Sequence, residues 1–247
     1  MRNGAVVIMD VLGFKGIWQR YEAKSILQGM RVFEKMVYAA ERLTEETEGD
    51  VWDFGVQPKY RFRFMSDTLI VGCWLQGQAR AGASQDVAAA ASLYLLCRLT
   101  SRLLAVATGL GFPFRGCITT GEFDMLRNFV IGPAVDEAAE WADKADGAIV
   151  WLRPCAVTLY KMFGPSRSKR HVFYPYKVPI KNSTPIRTAV INPRGDERRN
   201  TSKRDLADLL EYFDVGKPGV ATKLKNTKEF FEYVIGPDRK RKRSWDT

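Results

Sequence analysis

The sequence predicts an α+β fold, an antiparallel-rich sheet with helices packed on one face, followed by a mixed C-terminal extension. Three observations predict it. Two apolar runs, AVVIMD and RFRFMSD, each deliver a lone carboxylate, Asp10 and Asp67, to a strand end. Between and after them, segments of strand and helix character alternate in the order strand, helix, hairpin, helix, strand, short strand, helix, strand. After about Tyr176 the composition turns to Pro, Asn, Arg and Lys.

Residues 4–10 alternate too little for a half-exposed strand, so the first strand is buried on both faces. A helix is expected from about Phe14 to Leu43, with Ile26, Met30, Phe33 and Val37 at helical spacing. YRFRFMSD and TLIVGCWL read as a hairpin turning at Ser66-Asp67. In its first strand Tyr60, Phe62 and Phe64 face one way and Arg61, Arg63 and Met65 the other, the apolar set toward the core. Ser84 caps a long Ala- and Leu-rich helix that ends at Gly109 and Gly111. FPFRGCITTGEF is a strand, Phe129–Gly132 a short strand or extended turn, Ala134–Lys144 a helix and GAIVWL a strand. This order is a ferredoxin-like or palm-type plan. It divides the chain into a core over 1–176 and a basic extension over 177–247. That extension holds helices at Lys203–Phe213 and Thr227–Val234 and packs on the core or serves the oligomer.

With 247 residues, 46% hydrophobic and 27% charged, the chain sustains a core of normal size. No apolar run reads as a bilayer span, and MRNGAVVIMD lacks a signal-peptide pattern, so the expected compartment is the cytoplasm. The four cysteines have no CxxC spacing and are expected as buried, reduced thiols. With His171 the only histidine, a zinc site or a Cys–His nucleophile is disfavoured. The net charge of +10 favours a polyanionic partner: nucleic acid, an anionic membrane surface or a nucleoside triphosphate. The terminal RKRKR is expected as a solvated tail, so nucleic acid is not the expected partner.

Two carboxylates presented at strand ends are a common means of holding two divalent ions over a triphosphate. RGCITTG, with Arg115 and Gly121, and IGPAVDEAAEW, with Gly132, Val135 and Ala138, follow in order. Together with Asp10, the Gly13-Phe14 turn and Asp67, these segments resemble the class III nucleotidyl cyclase domain over roughly residues 4–150. Purine-selective members carry a Lys four residues before the hairpin Asp and an Asp three residues before the last motif's Gly. Those positions hold Arg63 and Phe129 here. Phenylalanine cannot accept adenine's exocyclic amine proton. The combination is similar to the bacterial Pycsar cyclases, which make cyclic pyrimidine mononucleotides in antiphage defence.

The resemblance implies attack of a ribose 3′-oxygen on the α-phosphorus with release of pyrophosphate. It implies two divalent cations, Mn²⁺ or Mg²⁺, held by Asp10, Asp67 and the Val11 carbonyl. The amides of Leu12, Gly13, Phe14, Lys15 and Gly16 are expected at a helix N-terminus facing phosphate. Arg115 is expected on phosphate, Arg63 and Phe129 at the base, and Asp136 where relatives place a ribose-orienting Asn. Arg63 only donates, which suits uracil O4 and favours UTP over CTP. Glu140 stands where relatives carry a transition-state Arg. Lys144, as an i,i+4 partner of Glu140, is expected to supply that charge, with Lys177 or Lys181 as substitutes. A homodimer with sites at the interface and a separate effector protein for the product are also implied. A catalytically silent nucleotide-binding relative and a basic nucleic-acid-binding protein are the competing readings.

Overall fold

The computed structural model describes residues 1–15, 17–19, 21–48, 57–76, 85–126, 129–162, 172–194 and 219–235. At its centre lies β1 (Arg2–Val11), hydrogen-bonded on both sides and buried from Gly4 to Met9. A 3₁₀ turn at Ile17–Gln19 leads to α1 (Ala23–Glu48). The hairpin is β2 (Gln57–Met65) and β3 (Thr68–Gln76), followed by α2 (Gln85–Gly109) and β4 (Phe114–Leu126). Then come β5 (Phe129–Ile131), α3 (Pro133–Ala142), β6 (Val150–Leu152), α4 (Pro154–Met162), β7 (Phe173–Val178), β8 (Ile186–Ile191) and α5 (Val220–Ile235).

The sheet order is β2-β3-β1-β4-β6-β8-β7, with β5 paired to β4. Each hydrogen-bonded neighbour pair among β1 to β4 is antiparallel, and the four strands form two interleaved βαβ units, the ferredoxin-like plan. β6 joins β4 in parallel, and the remaining pairings are antiparallel. The fold class is therefore α+β, with a largely antiparallel sheet.

The alternation within β1 sends its two sets of side chains into different cores. Ala5, Val7, Met9 and Val11 join Phe33, Leu95, Leu99 and Leu103 beneath α1 and α2. Val6 and Ile8 join Ile70, Trp74, Phe123, Val135 and Ala138 beneath α3. Helices thus cover both faces, where one was expected: the second face of β1 is as apolar as the first and needs its own cover. In β2, Tyr60 and Phe62 are buried in the α1/α2 core and Phe64 packs against it, leaving Arg63 on the opposite face.

The density of side chains around β1 leaves no room for a Cβ at Gly72. One built there would lie 2.6 Å from Met125 Sδ and 2.6 Å from Phe123 Cε2. Gly72→Ala is therefore expected to destabilise the fold by about 1–3 kcal/mol through overpacking, read as a lower urea midpoint at unchanged slope.

Several expectations are corrected. The first helix begins at Ala23 and not near Phe14, because the chain takes tight turns first: Phe14 N–H donates to Val11 O and Ile17 N–H to Phe14 O. α2 is long and apolar enough to cross a membrane, yet it is the main core helix and mostly buried. α4, β7 and β8 were not anticipated. The expected boundary between 176 and 177 falls inside β7, and β7 and β8 extend the same sheet. The C-terminal helix is longer than expected and packs Phe230, Phe231 and Val234 against Trp151, Tyr174 and Val190. Cys73, Cys97 and Cys117 are buried, but Cys155 is exposed. Gly16, Ser84, His171 and Lys203–Phe213 lie outside the described residues.

Candidate active site

The end of β1 aims Asp10 away from the α1/α2 core, on the same side as Ile8. Its register partners are Thr68 in β3 and Arg115 in β4. The turn between β2 and β3 is two residues long, with Ser66 at a φ of 59°, and its second residue is Asp67. Val11 N–H donates to the Asp67 carbonyl at 3.1 Å and ties this turn to the end of β1. Asp10 and Asp67, 57 positions apart in sequence, therefore line one cleft.

The cleft has a volume of about 670 Å³, which lies within the range of small-molecule sites. Ile8, Ile70, Val130, Val135, Ala139 and Ala142 form its apolar wall, and Asp10, Asp67 and Asp143 supply charge. Phe129 and Met65 also line it and are largely exposed.

Arg115 does not stand free. Its Nε donates to both Asp10 oxygens at 3.1 and 3.2 Å, and its Nη2 to Asp10 Oδ2 at 3.0 Å. Its Nη1 donates to the Asp143 carbonyl at 3.1 Å. One guanidinium thus links β1 to the C-terminal end of α3. The pair is largely shielded, Arg115 being 13% and Asp10 22% exposed. The Asp67 carboxyl is held above its ordinary range, chiefly by burial and further by the neighbouring Asp10, which outweigh its hydrogen bonds and the pull of Arg115.

Two hard oxygen donors crowded in this way fit a divalent cation. Each carboxylate oxygen offers two lone-pair sites, so the Arg115 fork does not exhaust Asp10. The Val11 carbonyl already accepts Phe14 N–H at 3.3 Å and keeps one lone pair. Among the described residues no group of three or more Asp, Glu, His or Cys side chains forms a further metal-holding cluster.

The phosphate-loop expectation is corrected in part. Leu12 N–H donates to Pro113 O at 2.7 Å and Phe14 N–H to Val11 O, so neither amide is free for an anion. The loop leads into the 3₁₀ turn at Ile17–Gln19 and not into an α-helix. Gly13 has a φ of 84°, which its lack of a Cβ permits, and Lys15 is exposed. Lys144 is corrected as well: α3 ends at Ala142 with Asp143 as C-cap, so Glu140 and Lys144 do not share a helix and form no ion pair among the described residues. The lysine that enters the site region is Lys181, whose Nζ lies 3.3 Å from Asp143 Oδ2. The backbone N–H of Lys181 donates to the Lys144 carbonyl at 2.9 Å.

Arg63 lies on the cleft face of β2 opposite Ile70. Its Nη1 donates to Phe62 O, and its Nε is buried with no hydrogen-bond partner among the described residues. Asp136 and Glu140 are exposed on α3. The orientation of α3 is set by Glu137, which accepts from Thr119 Oγ1 at 2.6 Å and from Arg153 Nε at 2.8 Å. Arg153 in turn stacks 4.0 Å over Trp141. This anchor was missed in the sequence, where a Glu on a helix reads as a solvated side chain. Its signal was the single charged position on the apolar side of α3.

No protein-family model matches the chain. No curated protein matches it either. Among solved structures, the guanylyl cyclase Cya2 aligns at 13% identity over 81% of this chain and 95% of its own, with a TM-score of 0.49. The monomeric guanylyl cyclase domain of the RhoGC fusion protein from the fungus Blastocladiella emersonii aligns at 12% identity over 77% and 94%, with a TM-score of 0.49. Adenylate cyclases from Trypanosoma brucei in their monomeric state align at 13% identity over 80% and 90%, with a TM-score of 0.47. At such identities and scores these likenesses do not bear on the chemistry of this chain.

Proposed function

We propose that this protein is a nucleotidyl cyclase of pyrimidine specificity, converting UTP to 3′,5′-cyclic UMP and pyrophosphate. The reading rests on one observation above all: Asp10 and Asp67 converge at the edge of one cleft of nucleotide-accommodating size. Asp10, Asp67 and the remaining Val11 lone pair would hold two divalent cations, Mn²⁺ or Mg²⁺. When bound there, such ions acidify the ribose 3′-hydroxyl and neutralise the β- and γ-phosphates.

The chain's own residues then position the substrate. Arg115 fixes the direction of the Asp10 carboxylate and holds a permanent positive charge beside the α-phosphate. Lys181, rather than Lys144, supplies the further cation on the phosphate side. The apolar wall under Phe129 and Val130 excludes water from the base and offers a stacking surface. Phe129 gives no acceptor for an adenine amine, and Arg63 gives a donor for uracil O4. The 3′-oxygen bonds to the α-phosphorus as the bond from that phosphorus to the pyrophosphate oxygen breaks, and the hydroxyl proton passes to solvent.

A second copy of the chain would complete the site. Leu126, Phe129 and Ile131 on the β4–β5 hairpin are each at least 60% exposed, a cluster that association would cover. The cyclic product would act on a separate effector, in keeping with a role in antiphage defence.

The test is incubation of purified protein with each ribonucleoside triphosphate and Mn²⁺, with products identified by mass. Cyclic UMP is the expected dominant product. Cyclic CMP would transfer the reading to the other pyrimidine, and cyclic AMP would refute the Phe129 argument. Nucleotide binding without pyrophosphate release would make the protein a silent relative.

A further inference from the structure

A cation outside the site described above approaches it from the C-terminal helix. The first turns of α5 sit on the chain just past Asp10: Val220 and Leu224 pack against Leu12 and Ala148. The placement is bolted down by hydrogen bonds. Ala148 N–H donates to Thr227 Oγ1 at 2.9 Å, and Asn226 Nδ2 donates to Asp146 O at 2.6 Å and to Asp146 Oδ2 at 3.2 Å. Val220, Lys223, Leu224 and Thr227 share one face of α5, so Lys223 belongs to the docked face and not to the solvent face.

Lys223 is half-buried and within electrostatic reach of Lys181, which is itself within reach of Arg115. Burial first, and then Arg115 and Lys223, hold the Lys181 ammonium below the ordinary lysine range despite its Asp143 partner. Arg115 is matched by Asp10 and Lys181 by Asp143. Arg115, Lys181 and Lys223 therefore gather beside the end of β1, and of the three Lys223 has no carboxylate partner among the described residues.

We propose that Lys223 completes a polyphosphate-binding site with Lys181, receiving the terminal phosphate of the substrate, so that α5 is part of the active site and senses triphosphate length. The inference rests on the cyclase reading for its substrate, but the anion site stands on its own chemistry. Lys223 contacts no reacting atom. Its loss is therefore expected to act chiefly on KM.

The experiment measures binding of inorganic tripolyphosphate and of orthophosphate to the full-length chain by calorimetry. The variants are Lys223→Ala, Lys223→Arg and Lys225→Ala; Lys225 is 74% exposed, on the far side of the helix near Glu229. Tripolyphosphate is expected to bind the wild type more tightly than orthophosphate. Lys223→Ala should weaken it about tenfold, Lys223→Arg should restore most of the loss, and Lys225→Ala should change nothing. Equal binding by wild type and Lys223→Ala would overturn the proposal, as would an equal loss in Lys225→Ala. In the turnover assay, Lys223→Ala should raise KM about tenfold with kcat within about twofold. If tripolyphosphate binding depends on Lys223 while no triphosphate is cyclised, the anion site stands and the cyclase reading falls. If cyclisation proceeds and Lys223→Ala matches wild type in both assays, this inference falls alone.

Discussion

Asp67→Asn is expected to reduce metal-dependent pyrophosphate release by about 10³-fold while raising the thermal midpoint of the metal-free protein near neutral pH. The two effects share one cause. Burial, and next the Asp10 charge, raise the Asp67 carboxyl above its ordinary range. The fold therefore disfavours ionised Asp67. Its destabilising effect is absent below the ordinary carboxylate value and grows as pH rises through the raised one. Asparagine removes that effect and keeps the shape of the turn. The stability gain of the variant should accordingly be present at about pH 7 and vanish near about pH 3.5. Mn²⁺ should reverse the order, raising the wild-type midpoint and leaving the variant's nearly unmoved. Melting curves across pH, with and without Mn²⁺, check both halves. Wild-type turnover in the variant would end the two-carboxylate mechanism.

Arg115→Ala carries the second large effect. The guanidinium makes three contacts to Asp10 and one to the Asp143 carbonyl in a largely shielded setting. Its removal leaves two carboxylates facing each other without compensation and unties β1 from the end of α3. A loss of about 2–3 kcal/mol in folding stability is expected from urea denaturation, with a fall of about 10²- to 10³-fold in turnover. Divalent cation should recover much of the stability, because it neutralises the same carboxylates, but not the turnover. Arg115→Lys should recover little of either, since an ammonium cannot reproduce the fork. Unchanged urea midpoints in Arg115→Ala would show that the linkage contributes nothing.

The sequence reading expected Arg115 on substrate phosphate and did not foresee its pairing with Asp10, which the folded chain shows. The difference illustrates what motif order conveys. Motif order along the chain groups Asp10, Asp67 and Arg115 into one expected site. Which of them touches which depends on strand register, and β1–β4 pairing sets Asp10 directly opposite Arg115. The helix expected at Phe14 failed for a related reason. Its apolar spacing is genuine from Ile26 onward, but Gly13 and the turn bonds at Val11 and Phe14 delay its start to Ala23. That delay leaves the segment just past β1 without an α-helix N-terminus.

Local pattern alone determined the elements whose burial is periodic. The unbroken apolar run of β1, the alternation of Tyr60, Phe62 and Phe64, and the Ser66-Asp67 turn were all legible, because side-chain direction along a strand follows from the period of two. The Glu137 anchor, the divided cover of the two sheet faces and the approach of Lys223 to Lys181 were decided only by tertiary structure. Each depends on contacts between residues 16 to 80 or more positions apart. Hydrophobic periodicity records which face is buried; it carries no information on what buries it.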